Sequence, residues 1–189
     1  MGLWDVLRGH SQPRKANLDA LFSLPSAAMT LEASLGLRPT GSGAVCFRAA
    51  DGLAATVSQQ EAADLVAVDG GPQTESRVDE YGYTWLTVRT DPPDPASLVT
   101  DLHAVNSALE AQGFGPGLLC STVGFTSDAV RRAYVVYLYK QGTFYPFCPT
   151  GPATRDNLME RQIRDAIGVD LPVEQDTSRW MPIWGIPAG

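Results

Sequence analysis

Residues 94–125, DPASLVTDLHAVNSALEAQGFGPGLLCSTVGF, hold the change of periodicity on which the fold class turns. Asp94 followed by Pro95 reads as a helix cap and a first-turn proline. Leu98, Leu102, Val105 and Leu109 then form one apolar stripe at helical spacing, stopped by Gly113. Beyond GFGPG the period shortens, and Leu118 to Phe125 reads as a strand. The glycines leave a helix and enter a strand. A phosphate cradle needs the reverse order, so this stretch is a helix stop and a turn.

Outward from that stretch the chain is mostly strand. Tyr83, Trp85 and Thr87 alternate with Thr84, Leu86 and Val88 upstream, and Ala133 to Lys140 and TFYPFC (143–148) follow downstream. Pro146 puts the last of these at a sheet edge or ends it. Gly43 to Phe47 reads as another strand, with Asp51-Gly52 as a tight turn into Leu53 to Val57. Ser58 to Glu61 has capping-box spacing for a helix that fades near Asp69, and GGPQTES (70–76) is the expected mobile loop. Asn17 would cap a short helix through Leu18, Leu21 and Phe22. Pro25 opens a second helix ending at Gly36, and a final amphipathic helix spans about Asp156 to Ile167.

Strand follows strand more often than a helix separates strands. The expectation is a single α+β domain, an antiparallel meander with helices packed on one face. Residues 1–9 read as a short amphipathic segment and 10–16 as a linker. Residues 169–189 read as an extended tail, with Trp180 and Trp184 among prolines, packed on the body. At 189 residues the chain is long enough to bury a full core without a staple.

Charge and cysteine content narrow the function. A net charge of −7 repels phosphate backbones, which argues against nucleic acid as a partner. The first fifteen residues are the exception, with Arg8, Arg14 and Lys15 against Asp5. Three widely spaced cysteines, Cys46, Cys120 and Cys148, suit reduced thiols in a cytoplasmic protein. No CxxC pair is present, so no metal site is expected, and no cofactor motif stands out. Cys120 with His103 as its base is the thiol-catalysis alternative. Burial is the default for such cysteines, so no catalytic residue is assigned.

Two groups of residues remain as candidate contact sites. Leu3, Trp4, Leu7 and Arg8 form an apolar, locally basic patch for a partner or a membrane surface. Burying Leu3, Trp4, Val6 and Leu7 would contribute about 6 to 12 kcal/mol, while ordering that segment costs about 8 to 16 kcal/mol. The segment therefore cannot anchor alone, and membrane contact would be weak and peripheral. Tyr137, Tyr139, Phe144 and Tyr145 belong to the densest aromatic region, which is core on the plain reading and a ligand groove on the alternative.

The stretches NLDALFSLPSAAMTLEASLGLRPTGSG, TDLHAVNSALEAQGFGPGLLCSTVGF, YLYKQGTFYPF and RWMPIWG resemble the PspA-associated protein family PspAB. That resemblance implies a cytoplasmic protein of bacterial phage-shock, envelope-stress systems. It also implies a link to PspA, a coiled-coil protein of the membrane-remodelling class acting at the inner membrane face. It carries over no catalytic residues. The expectation is a non-enzymatic adaptor or regulator. A small-molecule-binding domain or thiol-dependent enzyme using Cys120 and the aromatic strands, and a peripheral membrane-surface sensor, are the alternatives.

Overall fold

A computed structural model of the chain describes residues 16–48 and 71–187. Among these, a 3-10 turn at Leu18–Ser23 leads into α1 (Leu24–Leu35), with Pro25 in its first turn and Gly36 at φ 66° closing it. Asn17 does not cap this turn through its side chain; its backbone carbonyl accepts from the Ala20 amide at 3.1 Å, the three-residue spacing of a 3-10 turn. Then come β1 (Arg38–Phe47), β2 (Glu75–Val78), β3 (Thr84–Arg89) and α2 (Pro95–Ala111). β4 (Leu118–Thr126), β5 (Ala133–Leu138) and β6 (Thr143–Phe147) complete the main sheet. A small ribbon of β7 (Pro149–Gly151) and β8 (Thr154–Arg155) precedes α3 (Asn157–Ile167).

The starts of α2 and α3 follow from their caps. The Asp94 carboxylate accepts from the Ala96 and Ser97 amides, and Asp156 does the same for Leu158 and Met159. Each satisfies amide donors that the first helical turn leaves without a partner.

The six main strands run in the order β2-β3-β1-β4-β5-β6, and every neighbouring pair is antiparallel. The fold is α+β, as the strand-rich pattern predicts. It is not a plain meander. β3 and β4 both pair with β1, which lies between them, so they run parallel to each other and need a crossover. α2 supplies that crossover, spanning the face of the central strand. The expected hairpin partner at 53–57 and the helix from Ser58 lie outside the described residues, and both edges of β1 are taken by β3 and β4. Of the GGPQTES stretch, Glu75 and Ser76 open β2 instead of continuing a loop.

Both faces of the sheet are covered. On one, Leu98, Leu102, Val105 and Leu109 of α2 pack with Ala27, Ala28 and Leu31 of α1 above Val45, Phe47, Val123 and Val135. Ile163 and Ile167 of α3 extend this layer. On the other face lie Cys46, Trp85, Cys120, Val136, Tyr145 and Phe147, met by Trp180 and, at the margin, Ile183 and Trp184 of the C-terminal segment. Burial on two sides explains why β1, β3 and β5 are buried along most of their length, with little of the apolar-polar alternation of a one-sided sheet.

β6 is an edge strand, as Pro146 predicts. Its outer side is partly sealed by the chain at 172–174: the Phe144 amide donates to the Pro172 carbonyl, and the Glu174 amide donates to the Phe144 carbonyl.

Candidate functional site

The second face of the sheet carries a groove of about 650 Å³ between the strands and the C-terminal segment. Its floor is a row of directly paired residues crossing four strands. Trp85 of β3 faces Cys46 of β1, Cys46 faces Cys120 of β4, and Cys120 faces Leu138 of β5. The two short thiol side chains lower the floor between the larger Trp85 and Leu138. A register shift between the Cys46 and Phe47 pairings puts Leu119 beside Cys120 on this same face, against strict alternation, and Leu119 also lines the groove.

One end of the groove is built by the β2–β3 turn. The Asp79 carboxylate is buried and accepts three hydrogen bonds: from the Tyr81 amide at 2.9 Å, the Tyr83 amide at 3.0 Å and the Trp85 indole Nε1 at 2.9 Å. Those donors fix the turn and orient Trp85 at once. Tyr81 and Tyr83 line the wall at this end, while Lys140 and Gln141 line the other, at the turn leading from β5 to β6.

Residues 181–185 form the remaining wall. They are held in place by several unrelated contacts. The Tyr145 hydroxyl donates to the Met181 carbonyl at 2.9 Å. Trp184 packs edge-on against Phe147 with ring centroids 5.2 Å apart, and Tyr145 stacks with Trp180 at 6.2 Å. Gly185 lies so close to Asp79 that an added Cβ would stand 2.4 Å from Oδ2. Arg155 holds Trp180, the residue that leads into this wall. Its Nη1 donates to the Trp180 carbonyl at 2.8 Å, its Nε pairs with the buried Glu160 at 2.8 Å, and its guanidinium lies 5.1 Å from the centre of the Phe147 ring.

All three cysteines are buried, Cys46 and Cys120 keeping only a small exposed area on the groove floor. The Cys46 thiol is pushed far up by its hydrogen bond with Cys120 and by burial. Burial, with the Glu160 charge nearby, pushes Cys148 up to about 12. Thiolates are the nucleophilic form, so Cys46 and Cys148 stay in the unreactive state at neutral pH. His103 cannot serve Cys120: it packs against Phe22, 5.0 Å between ring centres, and stands 3.7 Å from Asp19 in the helix layer, across the sheet from Cys120. Among the described residues no cluster of three or more His, Cys, Asp or Glu side chains converges as a metal site would require.

The four aromatic residues named from sequence divide between the faces. Tyr137, Tyr139 and Phe144 lie in the helix-side core, and Tyr145 lines the groove. Tyr137 donates to the Asn17 carbonyl at 2.8 Å and Tyr139 to the Glu110 carboxylate. Burial pushes Tyr137 up to about 12 and, with the Glu110 hydrogen bond, moves Tyr139 in the same direction. Leu3, Trp4, Leu7 and Arg8 lie outside the described residues. Sequence reasoning does not group the floor and end residues Cys46, Asp79, Trp85 and Lys140. The one local signal is Asp79 two and four residues ahead of Tyr81 and Tyr83, a spacing that suits an Asx-type turn.

Fold and groove together define an α+β sheet protein with helices on one face and a preformed apolar slot on the other. The chain belongs to the PspA associated protein B family, PspAB, whose family model matches residues 1–188. The resemblance read from the sequence is thereby established. Comparison with curated proteins and with solved structures yields no match. Among the described residues, no helix is long and apolar enough to cross a membrane.

Proposed function

We propose that this protein is a non-enzymatic adaptor or regulator of the PspA envelope-stress system, acting by contact with PspA or a related phage-shock component. The observation that carries the reading is family membership across residues 1–188, in a family named for its association with PspA. The placement of the thiols supports it, since the cysteines are buried and Cys120 stands across the sheet from His103. The working place is the cytoplasm at the inner membrane face, where PspA acts. Leu3, Trp4, Leu7 and Arg8 are the proposed contact residues, a short apolar and basic patch that a partner would complete.

The test is capture of purified PspA by the full-length protein at micromolar concentrations, with and without liposomes. Retained PspA, lost on replacing Leu3, Trp4 and Leu7 by serine, is the expected result. No complex under either condition overturns the adaptor reading. Sedimentation of the protein with liposomes in the absence of PspA favours the membrane-sensor alternative instead.

A further inference from the structure

We propose that the groove on the second sheet face binds a free single-chain anionic amphiphile, its apolar chain lying along the Trp85–Cys46–Cys120–Leu138 row and its charged end at Lys140. This goes beyond the PspA reading and stands on separate observations.

The shape selects a chain. The floor is one residue wide and crosses from β3 to β5, three interstrand steps, or about 14 Å at ordinary sheet spacing. That matches the extended length of a medium-chain acyl group. A volume of about 650 Å³ lies in the range of small-molecule sites. The slot does not depend on an occupant to exist, because the Tyr145–Met181 hydrogen bond, the Trp184–Phe147 contact and the Asp79–Gly185 approach hold its outer wall.

Lining chemistry selects an apolar body. Leu119, Leu138, Ile183 and Trp184 present hydrocarbon and ring surface, and the buried thiols at the centre add polarizable area. Burial of a chain here removes apolar surface from water on both sides of the contact, which is the favourable term in such binding.

Charge selects the end group. Among the described residues the groove is lined by one cation, Lys140, and one anion, Asp79. Asp79 is already committed to three N–H donors. Lys140 is exposed and makes no ion pair among the described residues, so its ammonium is available to a carboxylate at the groove's mouth. In a protein of net charge −7, a cation at the end of an apolar slot discriminates by sign.

The probe is dodecanoate, kept below its micellar concentration and titrated by calorimetry into delipidated full-length protein, with dodecyltrimethylammonium and dodecanol as chain-matched comparisons. Saturable one-site binding of dodecanoate, about tenfold tighter than the ammonium compound, is expected. Lys140→Glu, on an exposed turn, should reverse that order and leave dodecanol unchanged. Cys120→Met, checked for folding by circular dichroism, should weaken all three by filling the centre of the floor. Absence of saturable dodecanoate binding overturns the proposal, as does an order of affinity that Lys140→Glu leaves unaltered. Binding to phosphatidylglycerol vesicles without binding of monomeric dodecanoate also overturns it and assigns the surface to membranes. PspA capture is read in a separate assay, so either proposal can fail while the other stands.

Discussion

Asp79 shows how much one side chain can organise. Its two oxygens take the Tyr81 and Tyr83 amides and the Trp85 indole, and its carboxylate lies against Gly185. Replacing it by alanine leaves three N–H groups short of an acceptor, one of them on a fully buried tryptophan. Hydrogen bonds to charged groups contribute about 1.5 to 3 kcal/mol each, with strong non-additivity in a shared site, so Asp79→Ala should destabilise by about 2 to 4 kcal/mol. Urea denaturation followed by tryptophan fluorescence would measure it; a loss under about 1 kcal/mol would show that water replaces the carboxylate. Glu160 is the comparable residue on the other side of the groove segment, buried and bonded to Arg155 and to the Cys148 amide. Glu160→Ala leaves the half-buried Arg155 guanidinium without its carboxylate, and a cost of about 3 to 5 kcal/mol is expected for a broken buried pair, read in the same urea experiment.

At the scale of elements, what can be read from sequence is local. Asp94-Pro95 and its apolar stripe locate α2 because capping and helical period act within a few residues. The beginning of β1 is not legible, since RPTGSG carries proline and glycine and none of the branched apolar residues that mark a strand; the register shift between Pro39 and Gly43 accommodates them. β2 escapes notice because ESRV is a four-residue edge strand with charged side chains. Neither the place of β1 between β3 and β4 nor the Cys46–Cys120 pairing can be read, because both depend on partners far apart in the chain. The groove floor is illegible for the same reason. Docking of α2 on β1 has its own test. An added Cβ at Gly43 would stand 2.9 Å from the Thr122 carbonyl oxygen and 3.0 Å from Leu102 Cδ1. Gly43→Ala should therefore cost about 1 to 3 kcal/mol through overpacking, read as a lower urea midpoint at unchanged slope.

For the whole molecule, the C-terminal segment ties both layers together. Asp170, just past α3, accepts from Ser26 and Thr30 of α1, while Glu174 accepts from the Thr143 hydroxyl at 2.9 Å and the Asp176 amide at 2.9 Å. Burial works against the ionised Glu174, yet these donors, with Arg179 3.5 Å away, hold its carboxyl below the usual range. A carboxyl depressed in the folded state contributes stability that is fully present above its unfolded pKa, about 4.3, and lost as pH falls through the folded value. Stability should thus fall on acidification below about pH 5, and Glu174→Gln should flatten that slope in urea titrations at stepped pH. An unchanged slope would place the acid sensitivity elsewhere. The position of this segment also bears on synthesis order. Every strand of the main sheet has been made once residue 147 has left the ribosome, and the helix layer once residue 167 has. Trp85, Tyr145 and Phe147 still lack Trp180 and Trp184 at that moment, so a chain that folds in order of synthesis leaves its second, aromatic face uncovered until the last segment is made.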